Sequence, residues 1–254
     1  MVILAGGLGT RLGEETAVKP KPMVEIGGYP ILWHIMQIFS AYGYNEFVVA
    51  LGYKAFVIKD YFLNFQPWTR NFSIHLGSGK ITYHEGPENN WIIHLIDTGY
   101  DTQTGGRILK ASEFIGDEPF MLTYGDGVAN IDIGALVEFH KTSGKLATLT
   151  TVRPPARFGT VTLENGAVSS FQEKPQSGEG WINGGFFVLE PEIRGYIRSG
   201  DRTMWESEPL ENLAKEGQLA AYQHDGFWQS MDTLRDVRLL ESLWQSGAPP
   251  WKVW

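Results

Sequence analysis

The sequence predicts an α/β protein: a mixed, mainly parallel sheet flanked by helices, with strands inserted in its second half. Three observations lead there. Short continuous apolar runs at residues 2–5, 47–51 and 120–123 stop at small or turn residues, the pattern of strands covered on both faces. Segments with helical spacing alternate with them through the first half, and strand, helix, strand, helix implies right-handed parallel crossovers. Residues 160–163 and 167–172 then flank Asn165-Gly166, a hairpin signal that belongs to no such crossover.

Taken in order, residues 2–5 (VILA) form a central strand that runs into glycines. Residues 30–42 form a helix, with Ile31, Leu32, Ile35, Met36, Ile38 and Phe39 on one broad face, Pro30 near the first turn and Gly43 as a stop. Residues 47–51 repeat the buried strand, Gly52 turns the chain, and 53–63 form a second helix. Residues 73–97 read as short strands in a less regular region around Gly77-Ser78-Gly79. A helix over 105–115, a strand over 120–123, an amphipathic helix over 133–141 and a Thr- and Val-rich strand over 146–152 follow. After the hairpin come a strand over 181–189 and a last helix over 233–245.

The length of 254 residues suits one large domain, with an N-terminal half near 1–130 and a C-terminal half near 131–254. Lys and Arg number 21 against 29 Asp and Glu, a net charge of −8 that argues against nucleic acid or an anionic membrane as the main partner. There is no cysteine, so disulfides, thiolate metal sites and a cysteine nucleophile are excluded. No apolar run reaches spanning length, and a soluble, cytoplasmic protein is expected.

The first run passes through Leu4 and Ala5 into Gly6, Gly7, Leu8, Gly9, Thr10 and Arg11. Leu12 stands where a dinucleotide fingerprint needs its third glycine, and no Gly-Lys-Ser/Thr ending makes it a P-loop. What remains is a backbone able to approach phosphate oxygens, a donor hydroxyl and a guanidinium, at the strand edge where open α/β sheets bind ligands. The alternative is a tight turn with a surface arginine. Lys21, between Pro20 and Pro22, is expected to be aimed by a stiff extended backbone, or else to be a linker charge. Asp126, in Tyr124-Gly125-Asp126-Gly127, suits a metal carboxylate on the same edge as the glycine loop. Asp232 fits either a metal site or the cap of the final helix, capping being the better reading for it alone. Glu173, Lys174, Asn183 and Gly184 suit a sugar and its phosphate or a solvated hairpin end, and Gly105-Gly106-Arg107 is a second potential anion site. The six histidines show no metal-ligand spacing.

Six ordered blocks, covering nearly the whole chain, resemble the sugar nucleotidyltransferases: residues 4–12, 19–23, 124–127, 171–175, 183–187 and 226–233. The resemblance implies a Rossmann-like fold and Mg2+-dependent transfer of the nucleotidyl group of CTP to glucose 1-phosphate, with dTTP or UTP as the alternative donor. It implies that residues 4–11, Lys21, Thr104, Arg107, Gly125 and Asp126 meet the nucleotide, with Arg11 and Lys21 catalytic, and that Asp126 and Asp232 hold the metal. Glu173, Lys174, Asn183 and Gly184 would meet the sugar phosphate, and a homo-oligomer is implied. A non-catalytic nucleotide-sugar sensor and a dinucleotide-dependent dehydrogenase are the rival readings. Two departures stand out: a first strand that starts late, expected to weaken it, and Ser230 where the family commonly has proline, expected to loosen the turn that holds Asp232.

Overall fold

The computed structural model describes residues 1–9, 12–86, 89–154, 160–164, 167–172 and 180–254, the backbone alone at 14, 160–164 and 167–172. In chain order the elements begin with β1 (Val2–Leu4), α1 (Glu14–Val18), a 3-10 turn (Lys21–Met23), the small hairpin β2 (Glu25–Ile26) and β3 (Tyr29–Pro30), and α2 (Ile31–Ser40). Next come β4 (Glu46–Leu51), α3 (Ala55–Leu63), α4 (Phe65–Thr69), a hairpin of β5 (Phe72–His75) and β6 (Lys80–Tyr83), β7 (Ile92–Asp97) and α5 (Thr104–Ser112). The second half runs β8 (Phe120–Tyr124), β9 (Gly127–Ala129), α6 (Ile133–Ser143), β10 (Ala147–Val152), β11 (Thr160–Glu164), β12 (Ala167–Gln172), β13 (Ile182–Leu189), α7 (Glu208–Lys215), β14 (Leu219–His224), β15 (Trp228–Ser230) and α8 (Leu234–Gln245).

Seven strands make the main sheet in the order β14-β10-β13-β8-β1-β4-β7. β1 is parallel to both β8 and β4, β4 to β7 and β10 to β14, while β13 is antiparallel to both its neighbours. Only β13 is therefore reversed, and the carboxyl ends of β1, β4, β7 and β8 share one edge with the start of β13. The continuous apolar runs have a direct cause. Ile3 and Val49 face a core shared with Ile35, Met36 and Phe39 of α2, while Val2, Leu4, Val48 and Ala50 face Ile108 and Ala111 of α5 and Trp205 on the other side. Neither face of the runs 2–4 and 47–51 meets water, so neither run carries a polar residue.

Several expectations are corrected. β1 is paired on both sides: Val2 and Ile3 are fully buried, and Met1 extends the pairing by accepting from the backbone N–H of Val48. Residues 92–97 join the main sheet as its edge strand rather than an irregular region. β14, whose burial alternates only between half-buried and exposed, carries too weak a pattern to be read from the sequence. Pro30 precedes the first turn of α2 as its cap residue. Lys21 opens a 3-10 turn after an extended Pro20, so the proline that follows does not hold it extended.

Beneath this sheet the C-terminal residues close over α2. His34 is wholly buried among Trp33, Trp244, Trp251 and Trp254. Its Nε2–H donates to the Ile26 carbonyl at 2.8 Å, and its Nδ1 accepts from the Trp251 indole at 3.3 Å. Burial pushes its pKa down to about 4, outweighing the Ile26 and Tyr29 carbonyls and Glu241, which raise it. The neutral ring is thus part of the fold, while the unfolded chain protonates near 6.5. Stability is expected to be highest above pH 6.5 and to lose roughly 3 kcal/mol through this group as pH falls towards 4. Urea denaturation of the native chain and His34→Gln across that range checks it, the variant lacking this loss.

Candidate active site

At the carboxyl edge of the sheet, β1 and β8 each end in a glycine-containing turn. Gly125 N–H donates to the Leu4 carbonyl at 2.9 Å, and a Cβ at Gly125 would stand 2.9 Å from that oxygen, so the two turns touch only because Gly125 has no side chain. The loop after β1 is closed by Leu12 N–H to the Gly9 carbonyl and by the Thr16 hydroxyl to the same oxygen, both at 3.1 Å. Gly9 has φ +62°, and a Cβ there would press on Lys21 and Thr16 at 3.0 Å. Nothing lies within 4 Å of a Cβ at Gly7, so packing does not demand glycine there, whereas close approach by a phosphate would. Leu8 is exposed, and Thr10 and Arg11 lie outside the described residues.

Lys21 joins this loop to two distant carboxylates. Its ammonium stands 2.5 Å from Asp126 Oδ2 and 2.7 Å from Asp232 Oδ1. The two aspartates are 106 positions apart and are brought together by a two-stranded ribbon, β9 with β15, in which Gly127 pairs with Ser230 and the Met231 N–H donates to the Asp126 carbonyl. Burial alone would lower the Lys21 pKa, but the Asp126 charge and hydrogen bond, then those of Asp232, leave it raised. The ammonium is therefore charged, and it holds two acids that would otherwise repel each other.

Asp232 does not cap the last helix. Thr233 is the cap of α8, accepting from the Asp236 N–H while the Asp236 carboxylate accepts from the Thr233 N–H, a reciprocal box. Asp236 also accepts from the Asp232 N–H at 3.1 Å, which fixes the backbone that presents Asp232. Ser230, expected to loosen this turn, instead donates its hydroxyl to Asp232 Oδ2 at 3.0 Å.

Two clefts meet at Asp126 and Asp232, and Lys21 lines the larger of them. The larger, about 350 Å3, runs between the glycine loop (Leu4, Ala5, Gly6, Gly7, Gly9), the start of α5 (Thr102, Gln103, Thr104, Arg107) and Tyr124, Gly125 and Asp126. The second, about 220 Å3, is lined by Tyr124, Asp126, Asn183, Gly184, Gly185, Trp228, Ser230 and Asp232. Asn183 Nδ2 lies 3.5 Å from the Tyr124 hydroxyl, and its Oδ1 accepts from the Gly185 N–H at 2.7 Å. Gly184 is required by packing, since a Cβ would stand 2.7 Å from Val152, and its carbonyl accepts from the Trp228 indole at 2.7 Å. Glu173 and Lys174, expected beside Asn183, lie outside the described residues.

Arg107 lines the larger cleft, but its charge is spent on the fold. The side chain is 4% exposed, and its guanidinium donates to the carbonyls of Gly6, Leu51, Gly99 and Tyr100 and to the Thr98 hydroxyl, at 2.6–3.3 Å. These groups end β1, β4 and β7. Nor does Gly105-Gly106 form an open anion site: the Gln103 and Gly105 N–H groups donate to the Asp201 and Thr203 carbonyls, and a Cβ at Gly106 would stand 2.6 Å from Asp201 Cα. Those glycines let α5 pack on residues 200–203. Among the described residues no group of three or more His, Cys, Asp or Glu converges. Glu206, which no sequence motif marks, accepts from the Thr104 hydroxyl and from the Tyr124 hydroxyl, each at 2.6 Å.

Residues 1–246 match the nucleotidyl transferase family. A glucose-1-phosphate cytidylyltransferase of Salmonella typhi is 52% identical over 254 residues, spanning all of this chain and 98% of the relative. Among solved structures, HddC from Yersinia pseudotuberculosis superposes with a TM-score of 0.70 at 26% identity, covering 96% of this chain and 98% of that one. A UDP-glucose pyrophosphorylase complexed with UDP-glucose shares the fold, with a TM-score of 0.68 at 18% identity, 97% of this chain and 98% of the other being covered.

Proposed function

The chain belongs to the nucleotidyl transferase family, and from that premise we propose that it is a sugar-1-phosphate cytidylyltransferase converting CTP and glucose 1-phosphate to CDP-glucose and diphosphate. The observation that carries this reading is the meeting of two clefts at Asp126 and Asp232, with the Lys21 ammonium bonded to both acids, because the reaction must bring two phosphorylated substrates together at one phosphorus. The full-length likeness to the Salmonella cytidylyltransferase supports the choice of substrates.

A phosphate monoester has a second pKa of about 6, so glucose 1-phosphate is mostly dianionic at pH 7 and needs no general base. Its phosphate oxygen attacks the α-phosphorus of CTP, a new P–O bond forms, and the bond to the bridging β-phosphate oxygen breaks, releasing diphosphate. The obstacle is bringing together two polyanions in line, so positioning and positive charge carry the catalysis. In this reading the glycine loop and Arg11 hold the triphosphate, Lys21 meets the reacting phosphates, Thr104 faces the nucleotide, and Glu173, Lys174, Asn183 and Gly184 hold the sugar phosphate. Residues 1–130 then form the nucleotide half and 131–254 the sugar-phosphate half of a single domain, with Asp232 returning to the reacting centre.

Asp126 and Asp232 fit a divalent cation. Both present oxygen ligands, both are partly open to the clefts, and both already converge on one cationic position held by the Lys21 ammonium. Mg2+ bound there would neutralise charge on the transferred phosphate. A panel of CTP, dTTP, UTP and GTP with glucose 1-phosphate and Mg2+, read as both diphosphate and nucleotide sugar, tests the function. CDP-glucose as the main product is expected, and no turnover with any triphosphate would sink the proposal.

Association into a homo-oligomer is also proposed. β5 and β6 are exposed along their whole lengths yet carry Phe72, Ile74, Ile81 and Tyr83, with Leu76 86% exposed at the turn. A second copy would cover them. Sedimentation giving a dimer or larger, reduced by Leu76→Asp with Ile74→Asp, is expected; a monomer at micromolar concentration overturns it. No helix of the described residues is long and apolar enough to cross a membrane, and a cytoplasmic location is proposed, testable by fractionation.

A further inference from the structure

Glu206 lies outside both clefts but governs a hydroxyl in each wall. A carboxylate carries no proton to give, so Thr104 and Tyr124 must both be donors in the two 2.6 Å bonds. Thr104 has a second partner, since its oxygen accepts from the Trp205 backbone N–H at 2.9 Å. Tyr124 likewise accepts, weakly, from Asn183. Each hydroxyl is thereby left with acceptor capacity alone towards the cleft, and a substrate group placed against it must be a donor.

We propose that Glu206 is a specificity-determining residue that acts through Thr104, fixing its hydroxyl as an acceptor and so favouring a base that presents an amine. The proposal rests on the cytidylyltransferase reading and sharpens it. Within the larger cleft the charged groups Lys21, Asp126 and Asp232 are tied together and the Arg107 guanidinium is turned to backbone carbonyls, while the residues entering α5 contribute the uncharged Thr102, Gln103 and Thr104. Phosphates belong with the former, which leaves the base to the latter. Cytosine differs from uracil where an exocyclic amine replaces a carbonyl oxygen. An acceptor-only hydroxyl bonds the amine and repels the carbonyl, whereas a hydroxyl with a mobile proton would serve both. Fixing one proton thus turns an indiscriminate group into a selective one. Trp205, fully buried, anchors the segment that carries Glu206.

The test is the ratio of kcat/KM for CTP to that for UTP, with glucose 1-phosphate, in the native chain, Glu206→Gln, Thr104→Val and Thr104→Ser. In Glu206→Gln the amide NH2 donates where an oxygen accepted, which releases a hydroxyl proton. The ratio is expected to fall about tenfold in Glu206→Gln and in Thr104→Val, with no further fall when the two are combined, and to be kept in Thr104→Ser. A parallel loss with both triphosphates, leaving the ratio unchanged, makes Glu206 a merely structural link and overturns the inference. If Glu206→Gln does not fold, an unchanged ratio in Thr104→Val overturns it equally. A native chain that does not prefer CTP would instead remove the functional reading on which the inference stands, so the two failures are distinguishable.

Discussion

Replacing Lys21 with Met is expected to lower turnover by on the order of 10²- to 10³-fold, the size of effect seen when a single preorganised charge-stabilising group is removed from a reacting centre. Methionine keeps the aliphatic stem, against which the Gly9 backbone packs, so the loop and the 3-10 turn should persist. The same substitution carries a second expectation of opposite sign. The Lys21 ammonium sits where the Asp126 and Asp232 carboxylates converge, so a divalent cation must displace it to reach both. Without the ammonium, Mn2+ binding to the nucleotide-free protein, followed by paramagnetic resonance, should tighten by about tenfold or more. Near-native turnover would take Lys21 out of the mechanism. Weaker Mn2+ binding in the variant would show instead that the aspartates do not form the cation site.

What the sequence allowed a reader to see follows from where water is absent. β1, β4 and β8 are buried on both faces, so composition alone marked them, and the broad apolar face of α2 did the same. The glycine loop, Lys21, Asp126 and Asp232 were visible as residue types in small-residue turns. Their convergence was not, because it depends on the β9–β15 ribbon, two three-residue strands too short to carry a period. The Thr233-Leu234-Arg235-Asp236 spacing did contain the signal that relieves Asp232 of capping: a Thr followed three positions on by an acid. Glu206 had no signal at all. An acid beside a buried Trp becomes informative only when the fold sets Thr104, 102 positions earlier, and Tyr124, 82 positions earlier, against its two oxygens. Arg107 shows the converse, a residue rightly placed at the cleft whose charge faces inward.

Substituting Arg107 is expected to be the most destabilising single change near the cleft. Three parallel strands end side by side, and the carbonyls at and beyond their ends outnumber the backbone N–H groups that reach them. One guanidinium, itself buried, donates to the carbonyls of Gly6, Leu51, Gly99 and Tyr100 and to the Thr98 hydroxyl, the Gly6, Leu51 and Thr98 groups being closed to water. The fit is tight enough to exclude side chains nearby: a Cβ at Gly6 would stand 2.1 Å, and one at Gly52 2.4 Å, from Arg107 Nη1. Removing the group takes the side-chain donor from the Gly99 and Tyr100 carbonyls and the second donor from those of Gly6 and Leu51, which keep the Tyr53 and Thr98 N–H groups, so Arg107→Leu should cost roughly 2–4 kcal/mol after relaxation. Arg107→Lys separates charge from geometry. It restores the positive charge, but its point-like ammonium carries three donors and lacks the planar fork, so much of the loss should remain. Because Gly6 begins the glycine loop, the lysine variant, if it folds, should also raise KM for the triphosphate more than it lowers kcat. Urea denaturation with steady-state kinetics reads both effects, and a Lys variant as stable as the native chain would mean that charge rather than the fork holds the strand ends.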